Sequence, residues 1–260
     1  MAADYKKVIS FIKKLEGGLS RDKSDPAAKK CTSGCEGTKG KTTADDWHTN
    51  KGITWCTFTD WAEEKGIPES KWCDMFINMS DDTWESIFKE RFWDKANLSN
   101  LQSQAIAEYW VNARWGNPSS AQRILRDALR KNGVDINTEN INSLIDAVNA
   151  YINYGSDIKR EEKLFTDFVD LRVAWLKTLP AARYNKGWFD RQEAFRKRGR
   201  ALIRSKANLI ERIRYLALGV ISPEYRTANK GNEANNLLIG ISIIGISVFV
   251  INKLSKTNKN

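Results

Sequence analysis

Histidine is nearly absent from this sequence: His48 is the only one in 260 residues. A Ser-His-Asp or Cys-His hydrolase would therefore have to work through that single ring, and neither Gly-X-Ser-X-Gly nor a cysteine motif accompanies it. Proline is scarce as well (5), and with 16 glycines the composition excludes collagen-like or low-complexity character. Alternating β-branched runs are few, which argues against an all-β sandwich. The opening Met-Ala-Ala-Asp-Tyr-Lys-Lys leads straight into an amphipathic pattern without an apolar h-region, so no secretory signal is read there. What is present is apolar and aromatic mass. At 41% hydrophobic and 28% charged, with ten Trp, ten Phe and seven Tyr, the chain can bury a sizeable core in one or two mainly helical domains.

The net charge of +10 is regional. Arg183 to Arg214 holds eleven Lys/Arg against three acids, while residues 1–182 balance to −1 and residues 215–260 to +3. The basic stretch interleaves Trp188, Phe189 and Phe195 with Arg191, Arg196, Lys197, Arg198 and Arg200. Three readings follow: a solvated helix face with core aromatics, a surface for an anionic envelope polymer or the membrane, and, least favoured, a nucleic-acid surface.

Three- and four-residue apolar spacing predicts helices over 4–15, 54–65, 81–95, 102–115, 119–131, 140–151, 157–178 and 188–218. Between the first two, residues 20–50 form a polar Lys-, Gly- and Thr-rich stretch too long for an ordinary connection. Near the end, Leu237 to Ile251 (LLIGISIIGISVFVI) is free of charge and has no polar face. Fifteen to eighteen residues of helix span roughly 22–27 Å, slightly short of a ~30 Å hydrocarbon core but within reach of a thinned bilayer with snorkelling lysines. The expectation is a single carboxy-terminal anchor over 237–254, with a buried core helix as the alternative. Lys253, Lys256 and Lys259 beyond the run weakly favour a cytoplasmic tail.

Glu16 follows Ile12 and Leu15 and precedes Gly17-Gly18. A carboxyl held against apolar walls resists ionisation and keeps a proton to donate near neutral pH, while the glycines allow a sharp turn and close approach of a ligand. Downstream come Ser24-Asp25-Pro26 and Thr49-Asn50-Lys51-Gly52-Ile53-Thr54. Glu-Gly-Gly, an Asp-Pro turn and Thr-Asn-X-Gly-Ile-Thr together resemble glycoside hydrolase family 108, the lysozyme-like N-acetylmuramidases. The likeness continues through Met79-Ser80-Asp81, Arg91-Phe92-Trp93, the helix AIAEYWVNARWG (105–116), Arg172, Trp175 and Lys186 to Arg191, the last similar to the closing element of peptidoglycan-binding helices. Two departures stand out: Asp25-Pro26 is followed by Ala27-Ala28 and some twenty extra residues, and the second half keeps only Asn132-Gly133-Val134-Asp135 of an Asp-Gly and Gly-Pro signature.

The extra residues hold Cys31 and Cys35, followed by His48, Cys56 and, farther on, Cys73. Spaced C-x3-C, x12-H, x7-C and x16-C, they admit a structural zinc site at Cys31, Cys35, His48 and Cys56, two disulfides, or free buried thiols.

The resemblance implies a mainly α fold. A lysozyme-like catalytic domain (1–117, insert at 20–50) precedes a helical peptidoglycan-binding-like region (118–221), a linker (222–236) and the transmembrane helix. It implies cleavage of the β-1,4 bond between N-acetylmuramic acid and N-acetylglucosamine, in phage lysis or envelope remodelling. Glu16 would be the general acid, Asp25 the second carboxylate and Thr54 a positioner of water; Asn50, Gly52, Asn112, Trp188 and Arg191 would contact substrate. No cofactor is required for that chemistry. Peptidoglycan and the membrane are the expected partners, with the catalytic body on the wall side or released at lysis. The alternative is a membrane-tethered wall-binding or scaffolding protein with a degenerate site.

Overall fold

The computed structural model describes residues 2–22, 35 and 47–217, and the chain divides into two units, Met1–Ser205 and Lys206–Asn260. The first unit opens with α1 (Lys6–Lys13), which buries Val8, Ile9 and Ile12. A small antiparallel hairpin follows, β1 (Thr49–Asn50) and β2 (Ile53–Thr54), in register Thr49 with Thr54 and Asn50 with Ile53. Its two turn residues, Lys51 and Gly52, both have positive φ (46° and 78°), the geometry of a tight turn whose twist matches the strands. Glycine adopts it freely. Lys51 is held in it by Trp84, whose Nε1 donates to the Lys51 carbonyl (2.9 Å), and by its own Nζ, which donates to the Met79 carbonyl (2.9 Å).

Side-chain caps start most of the helices that follow, each satisfying a backbone N–H that the first turn leaves free. Thr54 caps α2 (Trp55–Glu64) through Thr57, and Ser80 caps α4 (Asp81–Ile87) through Thr83, beyond the short α3 (Trp72–Ile77). Ser103 caps α5 (Gln104–Gly116), which is buried from Ala105 to Arg114 and forms the centre of the unit. Asn117 caps α6 (Pro118–Lys131), Asn140 caps α7 (Ile141–Tyr151) and Asp157 caps α8 (Ile158–Lys177). The last helix, α9 (Lys186–Ala217), approaches α8 so closely at Gly199 that a Cβ there would sit 2.1 Å from the Phe165 ring.

All eight helices expected from periodicity are present, and the differences are local. The segment expected as one helix over 81–95 is α4 followed by a π-helical turn (Phe88–Trp93) and a 3-10 turn (Asp94–Ala96). The wider turn places Phe88 and Phe92 against Trp115, with ring centroids 5.7 and 4.4 Å away. Neither α3 nor the hairpin was apparent, because six and two residues are too few to display a period. Asn117 ends α5 and caps α6, and both helices lie within Met1–Ser205.

The expected fold class needs one correction. No helix among the described residues is long and apolar enough to cross a membrane, so the single-pass anchoring expected from the sequence is not supported. The two longest helices are excluded by charge, since α8 and α9 carry ionised side chains on nearly every turn, each costly in hydrocarbon. The run 237–254 lies outside the described residues, as does the linker before it.

Several of the described cations in the basic stretch pair within the protein. Arg196 pairs with Asp170 (2.7 Å) and Glu193 (3.2 Å), Lys186 with Asp190 (2.9 Å), and Arg198 with Glu108, whose side chain is 2% exposed. Arg198 also donates to the Lys7 carbonyl and lies over the Phe11 ring. Arg196 and Arg198 thus tie α9 to α8, α5 and α1.

Candidate active site

Glu16 stands three residues past α1, where the chain leaves the helix, and its side chain is only 8% exposed. Arg191 of α9 donates from Nη1 to Glu16 Oε1 at 2.6 Å. On the other side lies the hairpin turn. An atom added at the Cβ position of Gly52 would fall 2.1 Å from Glu16 Oε2, 2.7 Å from its Cδ and 3.0 Å from Trp115 Cζ2. The carboxyl is thus seated on the bare Cα of Gly52, beside the aromatic group Trp84, Phe88, Phe92 and Trp115.

Burial dominates the electrostatics. It pushes the Glu16 carboxyl above the usual carboxylate range, against the opposing charge and hydrogen bond of Arg191. Among the described residues Oε1 accepts from Arg191 and Oε2 accepts from none. The oxygen over Gly52 is therefore the one free to carry and release a proton.

Other residues singled out in the sequence fall around this centre in varied roles. Asn50 shapes the hairpin, its Nδ2 donating to the carbonyls of Phe76 (2.6 Å) and Ile77 (3.2 Å). Asn112 accepts from Arg191 Nε at 2.6 Å, so it holds the arginine that holds Glu16. Thr54 is occupied as the α2 cap, its hydroxyl also pairing with Thr57 Oγ1 (2.9 Å). Trp188 is half-buried and contributes its carbonyl to Gln192 Nε2 (3.3 Å). Gly17 and Gly18 have nothing within 4 Å of a Cβ, so the glycine the packing requires is Gly52. Asp25 lies outside the described residues. Trp115, Tyr109 and Gln192 were not singled out; Trp115 is adjacent to the Asn-X-Gly motif only in space, and no local signal marks it.

The cysteines take a different arrangement from the expected zinc set. Cys35 is bonded to Cys73 in a disulfide (Cα–Cα 5.1 Å), and Cys56 is disulfide-bonded too, so no described cysteine offers a thiolate. Cys31 lies outside the described residues. His48 is engaged at both ring nitrogens, with Thr49 Oγ1 (2.9 Å) and the Asp22 carbonyl (3.0 Å). A carbonyl only accepts, so Nε2 carries the proton and Nδ1 receives the Thr49 hydroxyl, leaving neither nitrogen for a metal. No group of three or more metal-ligating side chains forms among the described residues. His48 instead closes the neck of the insert, where Ser20 N donates to the Thr49 carbonyl (2.7 Å) and His48 N to the Ser20 carbonyl (3.1 Å).

A mainly helical body thus holds a buried carboxyl, its proton affinity raised by burial, against the turn of a small hairpin. Residues 9–117 match the family described as Glycosyl hydrolase 108, so this segment of the chain is similar to that family. No curated protein and no solved structure matches the chain.

Proposed function

We propose that the protein is a peptidoglycan hydrolase of the N-acetylmuramidase type, cleaving the β-1,4 bond between N-acetylmuramic acid and N-acetylglucosamine in lysis or envelope remodelling. The observation that carries this reading is the 8%-exposed Glu16 carboxyl, pushed above its usual range by burial and packed at Oε2 against the bare Cα of Gly52. Protonated Glu16 donates from Oε2 to the glycosidic oxygen as an oxocarbenium-like centre develops on the departing sugar. Burial favours the protonated form before the reaction, and Arg191 stabilises the carboxylate once that proton has left. Asp25 is the acid proposed for the opposite face, where it would activate water or attack the sugar directly. Thr54 is proposed to steer that water.

The test is hydrolysis of purified peptidoglycan by the full chain, read as loss of turbidity and release of reducing ends. Wild type should clear the substrate, Glu16→Gln should not, and Asp25→Asn should be severely slowed. Tight binding to sacculi with no reducing ends from wild type would refute hydrolysis and indicate a wall-binding protein.

A further inference from the structure

The family match ends at residue 117, yet the nearest charged partner of Glu16 comes from residue 191. Behind that partner runs a chain of hydrogen bonds across two helices. Arg191 Nε donates to Asn112 Oδ1 (2.6 Å), Asn112 Nδ2 donates to Gln192 Oε1 (3.4 Å), and the Tyr109 hydroxyl donates to the same oxygen (2.7 Å). Tyr109, Asn112 and Gln192 are 0%, 5% and 6% exposed, so their dipoles cannot turn to water instead. Each amide is also fixed in orientation: Asn112 must offer its oxygen to the arginine, and Gln192 must offer its oxygen to Tyr109 and Asn112. The guanidinium is thereby aimed at a single oxygen of Glu16.

We infer that Arg191, aligned by Asn112 and Gln192, is a positioning residue for Glu16, and that α9 is part of the catalytic machinery rather than a separate wall-binding element. This rests on the reading of Glu16 as the general acid. Arg191 holds Oε1, which leaves Oε2 as the oxygen that carries the transferable proton, and it limits how far burial raises the affinity for that proton. Other cations nearby do not substitute for it. Lys51 of the hairpin and Lys13 of α1 are turned to Asp81, and Arg114 of α5 is shifted by burial alone, with no carboxylate bearing on it.

The experiment compares full-length wild type, Arg191→Ala, Arg191→Lys and Asn112→Ala by two readouts. One is the Glu16 carboxyl titration, followed by NMR of 13C-labelled glutamate and assigned with Glu16→Gln; the other is the pH dependence of kcat on purified peptidoglycan. Arg191→Ala should titrate at higher pH than wild type, move the alkaline limb of kcat the same way, and lower kcat by about 100-fold through misplacement of the acid. Arg191→Lys retains the charge but not the fork that joins Asn112 to Glu16, so its titration should stay near wild type while kcat still falls. Asn112→Ala should fall between the two in kcat. A Glu16 titration unmoved in Arg191→Ala overturns the inference, as does a loss of kcat with unchanged pH limbs in all three variants. A shifted titration in a chain whose wild type releases no reducing ends would retire the hydrolase reading while retaining the Arg191–Glu16 coupling.

Discussion

Replacing Gly52 with alanine tests the seat of the acid directly. The new methyl would lie 2.1 Å from Glu16 Oε2 and 2.7 Å from Cδ, whereas ordinary carbon contacts begin at about 3.5 Å, so the carboxyl must retreat by ~1 Å. The 2.6 Å bond to Arg191 is lost or bent by that movement. A misplacement of about 1 Å at a reacting group costs roughly 100-fold in rate, or about 2.7 kcal/mol of barrier. The backbone adds a second cost, because φ is +78° and an L side chain in the left-handed region is strained by about 1–2 kcal/mol. Gly52→Ala should therefore lower kcat for release of reducing ends by ~100-fold or more and reduce unfolding free energy in urea by about 1–3 kcal/mol. Gly17→Ala is the folding control: a Cβ there meets nothing within 4 Å, and its stability should stay within about 0.5 kcal/mol of wild type. A Gly52→Ala protein with wild-type kcat would show that Glu16 is not seated as described and refute the argument.

Three further outcomes are expected. Glu16→Gln should fold normally and lose hydrolysis. Because the folded-state pKa of Glu16 lies above its unfolded value of 4.5, wild type should lose stability as pH rises from 4.5 through the folded pKa, and the Gln variant should lack that component. Urea unfolding of both proteins across that range checks this; parallel curves would mean that burial does not perturb Glu16. Cys73→Ser opens a cross-link of 38 residues' separation and should cost about 4 kcal/mol by loop entropy, read as a fall in the denaturation midpoint under non-reducing conditions. An unchanged midpoint would remove the bond as a stabilising element. Thr54→Ala deletes the α2 cap and should cost about 1 kcal/mol, with a smaller loss of turnover than Glu16→Gln; an equal loss of turnover in a folded protein would give Thr54 a direct part in the chemistry.

The helical body was legible in the sequence because each helix is announced by local signals. Apolar residues recur at three and four positions in α1 and α6, and Ser80, Asn117 and Asp157 stand where first turns need an acceptor. The acid was legible through Glu-Gly-Gly and Asn-X-Gly-Ile-Thr, which lie within 40 residues of each other. Why the second motif needs its glycine was not, since the clash is with a carboxyl 36 positions away and depends on the turn meeting the end of α1. The cysteine spacings were compatible with metal or disulfide, and the approach of Cys35 to Cys73 of α3 decided it for that pair. Within the basic run, the pairing of Arg196 and Arg198 with carboxylates of α8 and α5 was likewise invisible in the sequence.

By itself, then, the sequence determined what short-range physics governs: period, caps, stops and the residue types able to hold a proton. The tertiary structure decided what depends on contacts between distant segments. Arg191 meets Glu16 across 175 positions, and nothing in the residues beside either one encodes that meeting. It arises because Gly199 lets α9 press against Phe165 while Arg198 pairs with Glu108, and together these contacts set the helix at the height where residue 191 faces the acid.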